Sequence, residues 1–175
     1  MDRVWLLTWT TYGSWLPGDD RGFVSNFADA RGQGHRRNGP GTVPASSHPG
    51  LAASAKAAMT GPVVRLTAAQ AREVLAQFHE TAAHRGWALL AAAVMGNHVH
   101  LVAGVGGNPD PGTLLQGFKA YASRRLNRPL VTAVKWWTEG GSTVILPGDE
   151  AQHAAVAYVE RQEFPLALWS VNSPP

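Results

Sequence analysis

The order of hydrophobic and polar residues along the chain predicts seven elements of secondary structure. Alternating or nearly continuous apolar runs predict four strands, at residues 3–12, 87–95, 98–105 and 142–146. Apolar residues spaced three and four apart predict three helices, at residues 67–84, 113–128 and 149–162. Their order is strand, helix, strand, strand, helix, strand and helix. It indicates an α+β fold, in which helices pack on a ferredoxin-like antiparallel sheet and a C-terminal helix is added.

Residues 17–62 follow neither spacing. This segment is rich in glycine and proline and has few apolar residues to bury, so it is predicted to be a long irregular insertion. A loop of this length in a compact domain is usually functional or mobile. Because the segment has too little apolar surface for a core of its own, residues 1–175 are expected to form a single domain.

Composition narrows the class of protein. The 175 residues contain no cysteine, which excludes disulfides and cysteine-based metal sites. There is no run of about 18 apolar residues that could cross a membrane, and no charged and apolar leader opens the printed sequence. A cytoplasmic protein with no membrane partner is therefore expected.

The basic residues are concentrated in two intervals that lack acids. The net charge is only +3, but no acidic residue lies between Asp29 and Glu73 or between Asp110 and Glu139. Twelve of the 15 basic residues are arginine, which suits bidentate phosphate contacts. The simpler interpretation of these intervals is a solvated basic surface. The more specific interpretation is a surface that binds a polyanionic partner. The candidate nucleic-acid contacts are Lys119, Arg124, Arg125, Arg128, Lys135 and Trp136. The Trp136–Trp137 pair could stack on unpaired bases, although such a pair is more often part of a core.

Two histidines one residue apart are the first candidates for chemistry. Residues 94–103 read VMGNHVHLVA, with a turn predicted at Gly96–Asn97. Side chains alternate along a strand, so His98 and His100 should share one face of the sheet. Two imidazoles placed in this way can supply two ligands to a divalent metal. They could also be sheet residues that only bond to their neighbours.

Tyr121 is the candidate nucleophile. It lies on the predicted helix 113–128 near Lys119, Arg124, Arg125 and Arg128. A phenol has a pKa near 10 and attacks poorly unless cations or a metal-bound phosphate assist it. Tyr12 and Tyr158 are alternative phenols, but neither has a comparable cluster of cations, and both are expected to be structural.

Four segments together resemble a known family. The NHVH motif, the helix FKAYASRRLN, the early TYGSWLPGDDRGF and the late WWTEGGSTVIL are similar to single-tyrosine HUH transposases. The similarity is greatest to their REP-associated tyrosine transposase branch. In this superfamily the histidines of a His-hydrophobic-His motif bind a metal ion.

The resemblance implies an enzyme that cleaves and joins single-stranded or hairpin DNA. His98 and His100 would hold Mg²⁺ or Mn²⁺, and Tyr121 would form a covalent 5′-phosphotyrosine and release a 3′-OH. Insertion-sequence relatives place a glutamine one helical turn after the tyrosine, where it completes the metal shell. Arg125 stands at that position from Tyr121 and cannot ligate a cation. A bacterial, nucleoid-associated protein, either a monomer or a homodimer, is implied.

Two other functions remain compatible with the sequence. One is a domesticated protein that binds hairpin DNA through its basic faces and does not cleave it. The other is an RNA-binding sheet like that of an RRM, but histidines occupy the positions where such a sheet carries paired aromatics.

Overall fold

The computed structural model of the chain describes residues 1–20, 27–28, 34–35 and 47–173. Its strands are β1 Arg3–Thr10, β2 Phe27–Ala28, β3 Gly34–His35, β4 Ala88–Val94, β5 His98–Val105, β6 Ser142–Ile145 and β7 Ala167–Ser170. Its helices are α1 Pro49–Ala57, α2 Ala68–Arg85, α3 Pro111–Asn127 and α4 Gly148–Glu160. None of the helices in these ranges is long and apolar enough to cross a membrane.

Five strands form one antiparallel sheet in the order β6-β1-β5-β4-β7. Without β7, this is the strand order of the ferredoxin-like arrangement, so the predicted α+β class is confirmed. The central pair is β1 and β5, in which Thr8 lies opposite His100 and Thr10 lies opposite His98. On the other side of β5, Ala93 of β4 lies opposite His100.

The seven predicted elements are all present, with ends that differ by a few residues. The Thr67 hydroxyl caps α2 by accepting the backbone N–H of Gln70, and the Thr67 N–H donates to Oε1 of Gln70, which completes a capping box. Gly86 ends this helix in the left-handed conformation, with φ at 65°. Helix α3 begins earlier than predicted because the carboxylate of Asp110, rather than Thr113, accepts the backbone N–H that caps it.

The prediction for residues 17–62 needs correction where the structure describes them. Helix α1 lies inside this segment. Its first residue is Pro49, a residue type that is favoured at the first position of a helix, and the side chain of His48 caps it by accepting the backbone N–H of Leu51. The backbone of β2 pairs with that of β3. Residues 21–26, 29–33 and 36–46 lie outside the described part of the chain.

The sheet has a different helix layer on each face. Helices α2 and α3 cover one face, where the buried core includes Trp9, Phe78, Val99, Leu101 and Phe118. Helix α4 covers the other face, where the smaller core includes Val4, Ala93, Val102, Ala155, Val156 and Val159. Because neighbouring residues of β5 point to opposite faces, Val99 and Leu101 face α3, whereas His98, His100 and Val102 face the α4 side.

Candidate active site

His98 and His100 lie together on the α4 face of the sheet, as the alternation along β5 predicted. Their ring centroids are 4.9 Å apart and the rings meet edge to face. His100 is buried and His98 is partly buried. The small side chain of Ala93, opposite His100 on β4, leaves room for an imidazole between the sheet and α4.

Each imidazole is held by one hydrogen bond at Nδ1. The Nδ1 atom of His98 is 2.8 Å from Oδ1 of Asn97, and Nδ1 of His100 is 2.9 Å from Oγ1 of Thr8. Burial lowers the pKa of His98. Burial, together with the neighbouring His98, lowers the pKa of His100 to about 4. Both rings are therefore neutral at pH 7 and can offer a nitrogen lone pair.

Tyr158 of α4 faces this histidine pair. Its hydroxyl oxygen is 3.5 Å from Nε2 of His100, and the two ring centroids are 5.2 Å apart. The tyrosine stands one residue before Val159 and two after Val156, both of which anchor α4 to the sheet. Tyr158 is not enclosed by this contact, because 44% of the residue remains exposed.

Tyr121, the nucleophile predicted from the sequence, lies on the other side of the sheet. Its helix α3 packs against Val99 and Leu101, on the face opposite the two histidines. Its ring contacts two guanidinium groups, that of Arg124 at 4.9 Å and that of Arg85 at 5.8 Å. The structure therefore does not bring Tyr121 to His98 and His100 within one chain, and the tyrosine that it places beside them is Tyr158.

The family comparison covers the segment that carries these residues. Residues 64–162, more than half of the 175 residues, match the sequence model of the family described as "Transposase IS200 like". The chain belongs to the IS200-like transposase family. The matched range includes the histidine pair and Tyr158. No curated protein matches the chain.

Two solved structures resemble this chain. One is a REP-associated tyrosine transposase bound to a REP hairpin, with 11% identity and a TM-score of 0.49. The match covers 89% of this chain and 63% of that one, so the chain spans less than two thirds of that protein's length. The other is a transposase described from Deinococcus radiodurans R1, with 15% identity, a TM-score of 0.44 and coverage of 93% and 92%.

The sequence around Tyr158 contains a spacing that the prediction of Tyr121 did not use. Gln162 follows Tyr158 by four residues, the spacing at which insertion-sequence transposases are expected to carry a glutamine after the tyrosine. The side-chain nitrogen of Gln162 donates to the carbonyl of Tyr158 at 3.2 Å, at the C-terminal end of α4. The cluster of cations around Tyr121 favours that tyrosine in the sequence, whereas this spacing favours Tyr158.

The donor set of this site fits a divalent cation with few protein ligands. The described residues contain no group of three or more His, Cys, Asp or Glu side chains that could hold a metal. Two neutral imidazoles are nevertheless available, and each has its Nδ1 engaged, as metal-binding histidines usually do. A third ligand would then be an amide oxygen, water or a substrate phosphate.

Two of the predicted DNA contacts are buried and form hydrogen bonds within the protein. Lys119 is buried, and its Nζ donates to the carbonyl oxygens of Thr138 at 2.7 Å and Gly140 at 2.5 Å. Burial lowers the pKa of Lys119 to about 8. Trp136 is also buried, with its indole N–H donated to Oδ1 of Asn127 at 3.0 Å. Both polar groups therefore already have partners within the protein.

The other cationic side chains predicted to contact DNA differ in their exposure and in whether they form ion pairs. Arg125 donates to Glu73 and Glu80 of α2, each at 2.6 Å, and these bonds raise its pKa. Lys135 is exposed and lies 3.3 Å from a carboxylate oxygen of Glu139. Arg124 and Arg128 are exposed. Arg124, Arg128 and Lys135 therefore remain the candidates for contact with a polyanion.

Replacing Lys119 by methionine should destabilise the fold rather than weaken DNA binding selectively. The change leaves the carbonyls of Thr138 and Gly140 without the ammonium that bonds them, which should lower the free energy of unfolding by about 1–3 kcal/mol. Urea denaturation of the two proteins measures this difference.

Arg128→Met is the matched control, because it removes an exposed cation from the end of the same helix. It should change the free energy of unfolding by less than about 0.5 kcal/mol while weakening hairpin binding. If Lys119→Met instead keeps its free energy of unfolding and loses hairpin binding, Lys119 contacts the DNA.

Proposed function

We propose that this protein cleaves and rejoins single-stranded DNA beside hairpins, in a reaction that needs Mg²⁺ or Mn²⁺ and uses Tyr158 as the nucleophile. The observation that carries the proposal is the distance of 3.5 Å between the Tyr158 hydroxyl and Nε2 of His100 within one chain. Membership of the IS200-like transposase family supports a DNA-cleaving activity.

The proposed step is a transesterification at phosphorus. The phenolic oxygen of Tyr158 forms the new P–O bond, and the bond between phosphorus and the 3′ oxygen breaks. The proton that the phenol loses is balanced by the one that the leaving 3′ oxygen gains. The products are a 5′-phosphotyrosine and a free 3′-OH. Since the phosphoester bond is conserved, the 3′-OH of another strand can reverse the step without ATP.

The residues around Tyr158 have separate roles in this proposal. His98, His100 and the amide oxygen of Gln162 would hold the cation, which when bound neutralises charge on the scissile phosphate. Val156 and Val159 anchor α4, so that Tyr158 stays over the histidines. Because Tyr158 and both histidines belong to one chain, a monomer would contain a complete site.

Affinity for DNA would come from cations away from the histidine pair. Arg124, Arg128 and Lys135 are exposed and can meet phosphates. Binding through such contacts weakens as salt rises, because bound phosphates release counterions. We therefore expect binding and cleavage to depend on different residues.

The test is adduct formation with an end-labelled DNA pool. Hairpins flanked by randomised tetranucleotides are incubated with the protein and Mn²⁺, labelled at the 3′ end in one reaction and at the 5′ end in another. Attack by tyrosine with retention of the 5′ phosphate should transfer only the 3′ label to the protein, in a form that resists denaturant. Peptide mass spectrometry should then find the nucleotide on Tyr158.

The same experiment separates cleavage from binding alone. Retention of the hairpins without any adduct would favour a domesticated DNA-binding protein. Failure to retain or cleave the DNA would contradict both functions. An adduct on Tyr121 would show that the helix on the opposite face of the sheet supplies the nucleophile.

A further inference from the structure

The two hydrogen bonds to Nδ1 in the histidine pair come from residues that have no role in the reaction described above. Thr8 lies on β1, directly opposite His100 in the antiparallel register. Its Oγ1 is 2.9 Å from Nδ1 of His100. Asn97 immediately precedes β5, and its Oδ1 is 2.8 Å from Nδ1 of His98. Each imidazole ring is thus bonded by a different residue: His100 by Thr8 of β1, and His98 by Asn97 just before β5.

The chemistry of these partners restricts the position of the ring protons. A carbonyl oxygen can only accept, so the bond between Asn97 Oδ1 and His98 requires a proton on Nδ1 of His98. A neutral imidazole carries one ring proton, which leaves Nε2 of His98 unprotonated. A threonine hydroxyl can accept or donate, so the tautomer of His100 depends on what lies at its other nitrogen.

The other nitrogen of His100 faces Tyr158. A hydroxyl lies 3.5 Å from its Nε2, and a phenol donates readily to an unprotonated imidazole nitrogen. Both contacts of His100 are satisfied if Thr8 accepts from Nδ1–H and Tyr158 donates to Nε2. They are also satisfied if Nε2–H donates to Tyr158 and Thr8 donates to Nδ1, but only the first arrangement leaves an unprotonated Nε2.

We propose that Thr8 and Asn97 are positioning residues, which hold both histidines in the Nδ1–H tautomer and leave an unprotonated Nε2 on each ring. This inference deepens the proposed function and rests on it, since an unprotonated Nε2 is what a metal ligand requires. It gives a role to the hydroxyl at position 8, on the face of the sheet that carries the histidine pair.

The test reads the tautomers in the metal-free protein at pH 7. Long-range ¹H–¹⁵N correlation spectra of ¹⁵N-labelled protein distinguish protonated from unprotonated ring nitrogens. The wild type should show both rings as Nδ1–H. Thr8→Val, which keeps the shape of the side chain, should move His100 to Nε2–H, because Tyr158 can then accept. His98 should not change.

Three variants serve as controls. Thr8→Ser restores the hydroxyl and should restore the Nδ1–H tautomer of His100. Thr10→Val removes a hydroxyl from the same strand and face, but that hydroxyl bonds Thr138 at 2.7 Å and not a histidine, so both tautomers should persist. Asn97→Ala should alter His98 alone. Thermal melting of each variant confirms that it folds.

Broadening of the imidazole signals by Mn²⁺ gives a second readout. Loss of an outer partner of a metal-binding histidine should weaken Mn²⁺ binding by roughly 10–100-fold in Thr8→Val, and Thr8→Ser should recover it. An Nε2–H tautomer in the wild type, or a His100 tautomer that Thr8→Val leaves unchanged, would overturn the inference. A wild type with both expected tautomers that never forms a DNA adduct would support the inference and count against the proposed function.

Discussion

Replacing Tyr158 by phenylalanine should abolish the covalent protein–DNA adduct. The change removes one oxygen atom, the proposed nucleophile, and keeps the ring that packs edge to face against His100 at 5.2 Å. Nothing else in the site should move, because Val156 and Val159 still anchor α4. The rate of cleavage of a labelled hairpin should fall by on the order of 10³-fold or more, while hairpin affinity stays within about twofold because its phosphate contacts are unchanged.

Tyr121→Phe is the matched control for this experiment. It removes the same atom from a tyrosine on the opposite face of the sheet and preserves the ring that contacts Arg85 and Arg124. It should cleave as the wild type does. If Tyr121→Phe loses the adduct and Tyr158→Phe keeps it, the nucleophile is Tyr121, and the distance between Tyr158 and His100 has no catalytic meaning.

The fold could be predicted from the sequence where the local signals were strong and agreed with one another. The Thr67–Gln70 capping box and Gly86 define both ends of α2. The apolar run at 87–95 and the histidine strand at 98–105 flank a short turn, which predicts a hairpin. In each case the periodicity and the capping or turn residues indicate the same element.

Strand β7 and helix α1 were missed because their local patterns are weak. Strand β7, Ala167–Ser170, has four residues and follows Phe164 and Pro165. Its pairing with Ala91–Val94 depends on a sheet edge that is distant in the sequence. Helix α1, Pro49–Ala57, has no buried residue, so its side chains show little of the apolar spacing that identifies a helix.

The candidate site could be predicted only in part, for a topological reason. The alternation along β5 was enough to place His98 and His100 on one face. Which helix covers that face depends on how the chain crosses the sheet, and the local pattern does not contain this information. The cations near Tyr121 suggested a phosphate site, but Lys119 bonds two backbone carbonyls and Arg125 bonds two glutamates. The number of basic residues in α3 is therefore larger than the number of its cations that are available to bind a phosphate.

Replacing either histidine by alanine should separate catalysis from binding. His98→Ala and His100→Ala each remove one of the two imidazoles that would hold the cation, and each leaves Arg124, Arg128 and Lys135 in place. Adduct formation should fall by more than about 100-fold. Loss of a residue that only hydrogen-bonds a metal ligand lowers metal affinity or activity by up to about 100-fold, and loss of the ligand itself should have a larger effect. The Kd for the hairpin, measured at constant salt without added metal, should change by less than about threefold, since phosphate contacts dominate it. Chelation of the metal from the wild type with EDTA should reproduce both results.

His84→Ala is the control for these two variants, because His84 is an exposed histidine in the last turn of α2, away from the β5 pair. It should keep both activities. His100 is buried and its ring packs against Tyr158, so replacing it by alanine leaves a gap that could itself disturb the site. His100→Gln is therefore made as well, because glutamine still fills part of the space. Equal losses of hairpin binding and adduct formation in His98→Ala and His100→Gln would indicate that the pair supports the fold and does not hold a catalytic cation. Loss of the adduct alone would place the chemistry at the sheet face where β5 meets α4.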